Sequence, residues 1–165
     1  MTITMDGTRN GARSERPWPT SQFEPRSPNR TWNLNVLLIE DDFADTSLIL
    51  SVLKRHPQVS AAYATDAAEF ALRQLAIGRL KPALVLLDIH MPKVSGFTFL
   101  RKMREIPSMA TVPVVFLTTS RRESDVVRAR DASASSYVIK PESYLELQAR
   151  LNGIVRQAAA GRWSH

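Results

Sequence analysis

Four apolar runs of this chain stop at residues able to do chemistry. Asp88 follows Ala83-Leu84-Val85-Leu86-Leu87, Thr118 follows Val114-Val115-Phe116-Leu117, and Lys140 follows Tyr137-Val138-Ile139. An earlier run, Val36-Leu37-Leu38-Ile39, ends in Glu40-Asp41-Asp42. Clustered carboxylates repel one another, and a hard dication relieves that repulsion; an oxygen-only site with water ligands suits Mg²⁺. An ionised Asp88 can act as a nucleophile toward phosphorus and form an acyl phosphate. The oxygens of an incoming phosphoryl group need positive charge, which Mg²⁺ supplies on one side and the Lys140 ammonium on the other. The Thr118 hydroxyl can donate to a further oxygen. Taken singly, a strand-end acid is ordinarily a helix cap, and a strand-end lysine is ordinarily a solvated one. Taken together, they spell phosphoryl and metal chemistry.

Such residues work together only if the chain brings the ends of the runs to one place. Short, wholly apolar runs separated by helical patterns mark an α/β fold with a parallel sheet buried on both faces. The spacing predicts strands at about 36–40, 59–64, 83–88, 113–118 and 136–139, each followed by a helix. In the first helix Leu48, Val52 and Leu53 form the inward face, and in the last helix Leu147, Leu151, Ile154 and Val155 do. Capping boxes are expected at Asp66-Ala67-Ala68-Glu69 and Ser120-Arg121-Arg122-Glu123, with Ser143 capping the last helix and Gly161 stopping it. Ligands of an open doubly wound sheet lie beyond the carboxyl ends of its strands, where the strand order reverses. With the order 2-1-3-4-5, Glu40, Asp41, Asp42 and Asp88 converge there.

The 165 residues suffice for one domain with a proper core. Residues 1–33 hold Pro17, Pro19, Pro25 and Pro28, five arginines and no apolar periodicity, and read as a flexible tail. Residues 34–160 form the domain, and 161–165 a short C-terminal tail. Cysteine is absent, which excludes disulfides and thiolate metal sites. No segment approaches a membrane span or a secretory signal, so a cytoplasmic location is expected, with no membrane partner. The net charge of +6 is spread among acids without aromatic interleaving, so no nucleic-acid partner is expected.

The constellation resembles the receiver domain of two-component response regulators. Leu38-Ile39-Glu40-Asp41-Asp42, Leu86-Leu87-Asp88-Ile89-His90-Met91-Pro92 with Gly96, Val115-Phe116-Leu117-Thr118-Thr119-Ser120 and Tyr137-Val138-Ile139-Lys140-Pro141 carry the likeness. It covers about residues 34–158. The resemblance implies a flavodoxin-like (βα)5 fold and phosphorylation of Asp88 by a sensor histidine kinase or a phosphotransfer protein. It implies Mg²⁺, for which Mn²⁺ can substitute, held by Asp41, Asp88 and the backbone carbonyl of His90, with Glu40 acting through water. Thr118 is then the switch hydroxyl, Tyr137 the aromatic partner that swings inward behind it, and Lys140 the phosphoryl-pairing cation. A cis Lys140-Pro141 bond is expected. Such a protein catalyses its own phosphorylation and dephosphorylation without being a conventional enzyme.

Within the family, Leu117-Thr118-Thr119-Ser120 and the absence of an output domain resemble small stand-alone regulators that serve phytochrome-type kinases. The likeness implies a signal passed by protein contact to an effector or phosphotransfer protein, without DNA binding. It also implies a homodimer through the face of the fourth helix, fifth strand and fifth helix. Departures from the family pattern are Ala132-Ser133-Ala134, where many receivers carry glycine, and Glu142, where an apolar residue is common. His90 and Ser120, each two residues beyond a site residue, flank the phosphoryl position and are expected to tune its lifetime. A phosphatase of the haloacid dehalogenase type would need an acid where His90 stands and a cap region that is missing.

Overall fold

In the computed structural model, residues 34–163 are described. The expected tail of residues 1–33, together with Ser164 and His165, lies outside them. The strands are β1 (Leu34–Ile39), β2 (Val59–Thr65), β3 (Leu84–Leu87), β4 (Val114–Thr118) and β5 (Ser136–Ile139). The helices are α1 (Phe43–Arg55), α2 (Ala68–Ala76), α3 (Gly96–Arg104), α4 (Glu123–Asp131) and α5 (Tyr144–Ala159), and a 3-10 turn at Pro107–Met109 follows α3. All neighbouring strands pair in parallel, in the order β2-β1-β3-β4-β5. This is the doubly wound, flavodoxin-like arrangement expected.

Period-two alternation divides the apolar runs between two cores. Val36, Leu38, Leu84, Leu86, Val115 and Leu117 face α1 and α5. Leu37, Ile39, Val85, Leu87 and Phe116 face the layer that includes Leu75, Phe97, Leu100 and Ala129. Because both faces are covered, the three central strands are wholly apolar from Val36, Leu84 and Val114 until they end. Burying each such aliphatic side chain contributes roughly 1.5–3 kcal/mol, so a charged residue inside a run would be expelled. The strand ends are the first places where acids, hydroxyl and ammonium can sit.

Several local expectations are corrected. Leu48 is exposed, and Ile49, Val52 and Leu53 form the inward face of α1. α2 starts one residue later than a box at Asp66 would place it, with Ala67 as its cap residue, whose N–H donates to the Thr65 hydroxyl. The Ser120 box does not form, because α4 begins at Glu123 with Arg122 as its cap residue. Ser143 occupies the α5 cap position but its side chain accepts no capping bond. The Lys140-Pro141 bond is trans, the isomer preferred by about 0.5–1 kcal/mol before proline. By contrast, Asp42 caps α1, its Oδ1 accepting from the Asp45 N–H at 2.8 Å.

Two backbone positions matter for the site. Gly96 opens α3 against the β3 end, and a Cβ there would lie 2.2 Å from the Asp88 carbonyl oxygen. Only glycine permits that approach. Ser133, in the corner where glycine is common, adopts φ +57°, a left-handed conformation that costs a non-glycine residue roughly 1–2 kcal/mol. The 134 N–H to 129 carbonyl bond of 3.0 Å closes α4 around it.

Candidate phosphoryl-transfer site

The parallel register puts the ends of β1 and β3 side by side, with Ile39 opposite Leu87. The next residues, Glu40 and Asp88, are therefore neighbours beyond the sheet edge. The Asp88 N–H donates to the Ile39 carbonyl at 3.0 Å, and the Glu40 N–H to the Thr65 carbonyl at 3.1 Å. Asp88 is 7% exposed and Glu40 3%, whereas Asp41 is open to solvent. One carboxylate oxygen from each of the three lies within 4.8 Å of the others. This all-oxygen, acidic donor set fits a hard dication.

Backbone donors steady two of these acids. The Glu40 Oε1 accepts from the Asp42 N–H at 3.1 Å, and the Asp88 Oδ2 accepts from the His90 N–H at 3.2 Å. Burial pushes the Glu40 carboxyl above its ordinary value, the nearby Asp88 charge adds to that push, and the Lys140 ammonium and Asp42 N–H oppose it. Lys140 is the counter-ion. Its Nζ stands 2.6 Å from Glu40 Oε2, 2.7 Å from Asp45 Oδ2 and 3.9 Å from Asp88 Oδ1. Burial lowers the Lys140 affinity for its proton, but the bonds to Asp45 and Glu40 and the charge of Asp88 outweigh it, so the net shift is upward.

On the other flank, β4 and β5 pair with Thr118 opposite Ile139, and the Lys140 N–H donates to the Thr118 carbonyl at 2.8 Å. Thr118 is fully buried, and its Oγ1 accepts from the Ser120 N–H at 3.3 Å. The Ser120 hydroxyl donates to Asp125 Oδ2 at 2.6 Å, and the Tyr137 hydroxyl donates to the Ser120 carbonyl at 2.9 Å. Tyr137 is half-buried against Phe116, with ring centroids 6.3 Å apart. His90 reaches across, its Nε2 3.7 Å from the same Asp125 oxygen. The loop after β4 is thus tied to α4, to β5 and toward the loop after β3.

The residues singled out in the sequence, Glu40, Asp41, Asp88, Thr118 and Lys140, meet at one edge of the sheet, with Tyr137 and His90 beside them. Two participants escaped the sequence reading. Asp45 lies in the first turn of α1 and Asp125 in that of α4, where acids suit the helix dipole. Each serves its helix, but each also holds a site residue through its side chain.

The response regulator receiver domain family matches residues 36–152 of this chain. The chain belongs to that family. The receiver is 34% identical over 117 residues to the probable methanogenesis regulatory protein FilR2 of Methanothrix harundinacea (strain 6Ac), covering 68% of this chain and 76% of that one. It is 32% identical over 124 residues to the response regulator Rcp1 of Synechocystis sp. (strain ATCC 27184 / PCC 6803 / Kazusa), covering 72% of this chain and 84% of Rcp1. The Mn²⁺-bound crystal structure of Rcp1 matches the receiver with a TM-score of 0.65 at 30% identity, over 73% of this chain and 91% of that one. The crystal structure of the phosphorylated cyanobacterial phytochrome response regulator RcpA matches with a TM-score of 0.71 at 27% identity, over 78% and 96%. The receiver spans about half the length of the DNA-binding regulator RpaA, also of Synechocystis, at 49%. No helix among its described residues is long and apolar enough to cross a membrane.

Proposed function

We propose that this receiver accepts a phosphoryl group on Asp88 from a histidine kinase or a phosphotransfer protein, in a Mg²⁺-dependent reaction, and passes the signal on by protein contact. The observation that carries the reading is the convergence of Glu40, Asp41 and Asp88 beside Lys140 and Thr118. Asp41, Asp88 and the His90 carbonyl would hold the metal, with Glu40 acting through water, and Mn²⁺ is an adequate substitute. When bound, the ion neutralises acid charge and polarises phosphoryl oxygens. Asp88 supplies the attacking oxygen: its Oδ–P bond forms as the donor's N–P bond breaks, and the departing imidazole takes up a proton. Lys140 turns toward one phosphoryl oxygen, and the Thr118 hydroxyl donates to another. Phe43, 85% exposed at the start of α1, offers the donor protein an apolar contact beside the acids.

The same parts make a switch. In this structure the Tyr137 hydroxyl is held by the Ser120 carbonyl, so any movement of the loop after β4 toward a phosphoryl group is felt by Tyr137. The cleft among α4, β5 and α5, lined by Val126, Tyr137, Ile139, Pro141 and Glu146, is then the surface that changes. It is also the candidate face for a homodimer or an effector. The likeness to the phytochrome response regulator RcpA favours a phytochrome-type kinase as donor.

Intact-mass measurement after incubation with Mg²⁺ and acetyl phosphate tests the reading. One added phosphoryl group is expected, lost with a chelator and absent from Asp88→Asn. Equal labelling of the Asn variant would overturn the assignment of Asp88.

A further inference from the structure

Lys140 does not stand free for a phosphoryl group. Its ammonium has three N–H donors, and two of them are taken at 2.6 and 2.7 Å by Glu40 and Asp45, while Asp88 lies beyond hydrogen-bond reach at 3.9 Å. The two partners differ in what their loss would cost. The Glu40 side chain is 2% exposed and that of Asp45 35%. Releasing Glu40 would strand a buried carboxylate, whereas releasing Asp45 returns a carboxylate to water, which solvates it. Asp45 is carried by the first turn of α1, and the Asp42 cap fixes that turn through the Asp45 N–H. The Asp45 side chain is therefore presented to Lys140 by a rigid helix start rather than by a loose loop.

We infer that Asp45 is a positioning residue that holds Lys140 in the resting site and yields it when a phosphoryl group arrives. The inference rests on the reading of Lys140 as the phosphoryl-pairing cation. Phosphorylation is then an exchange of one carboxylate for a phosphoryl oxygen at Nζ, in which Glu40 stays bound and Asp45 lets go. Asp45 thereby slows phosphorylation, because it and Glu40 hold the ammonium with Asp88 3.9 Å away, and the one remaining N–H aligns on the transferring group only as Nζ moves off Asp45.

The test is the phosphorylation rate with acetyl phosphate at saturating Mg²⁺, followed by intact mass. Asp45→Asn should phosphorylate roughly fivefold faster, the equivalent of one partly exposed ion pair, and Asp45→Glu should return to within about twofold of the parent. Asp42→Asn controls for charge alone. It removes a neighbouring negative charge but keeps a good cap, and its side chain has no bond to Lys140. Thermal unfolding of each variant shows that the fold is retained. If Asp42→Asn accelerates the reaction as much as Asp45→Asn, or if Asp45→Asn is no faster than the parent, the positioning role is overturned. If the parent takes up no phosphoryl group, the reading of the site itself fails instead.

Discussion

At the scale of single residues the site is a balance of burial against charge, and Glu40 shows which side wins. Its carboxyl is nearly sealed from water and holds its proton to higher pH than an ordinary glutamate, despite the ammonium at 2.6 Å. Because the folded value lies above the unfolded one, the folded state binds more protons through that range, and stability must fall as pH rises. Chemical denaturation from pH 4 to 7 with a chelator present should show the parent losing stability relative to Glu40→Gln. A difference that moves the other way would mean that Lys140 outweighs burial. The same logic explains why Lys140 keeps its charge. Two hydrogen-bonded carboxylates and the charge of Asp88 overcome the cost of burying it.

At the scale of elements, the site depends on how closely α3 approaches the end of β3. Gly96 lets the helix start against the Asp88 carbonyl, and its N–H donates to the Ile89 carbonyl at 3.0 Å. Gly96→Ala would place a methyl group on rigid backbone, so α3 or the Asp88 loop must move; a cost of about 1–3 kcal/mol is expected. Urea denaturation checks the stability, and the phosphorylation rate should fall with it, since the displaced backbone carries Asp88. An unchanged rate in a destabilised protein would show that the helix yields and the acid does not. Gly96 was legible as part of a motif, but the reason for it lies in a contact between helix and strand end.

At the scale of the whole molecule, the loop after β4 joins the chemical edge of the sheet to the α4–β5–α5 face. Thr118 and Ser120 are buried, Asp125 anchors Ser120 to α4, and Tyr137 anchors the Ser120 carbonyl to β5. These bonds, with that of the Lys140 N–H to the Thr118 carbonyl, connect a change at Thr118 to the outer face. Hydrogen exchange with and without Mg²⁺ and acetyl phosphate should therefore show altered protection at residues 118–126 and in β5, besides the loop after Asp88. Changes confined to the Asp88 loop would break the link between chemistry and surface.

The order of elements, the strand topology and the five chemical residues were legible in the chain, because a strand buried on both faces admits no charge until it ends. Local signals near helix starts were less decisive. Leu48 and Ile49 are equally apolar, and only the packing of α1 on the sheet selects Ile49. The helices after Asp66 and Ser120 begin a residue or more later than capping boxes there would place them. Most of all, the bonds from Lys140 to Asp45 and from Ser120 to Asp125 were invisible. Asp45 and Lys140 are 95 residues apart, and no periodicity relates them. The sequence by itself determined which chemistry gathers at the sheet edge. Tertiary structure alone decided that Lys140 rests on Asp45, because that contact depends on the angle at which a capped helix leaves one strand and passes the end of another.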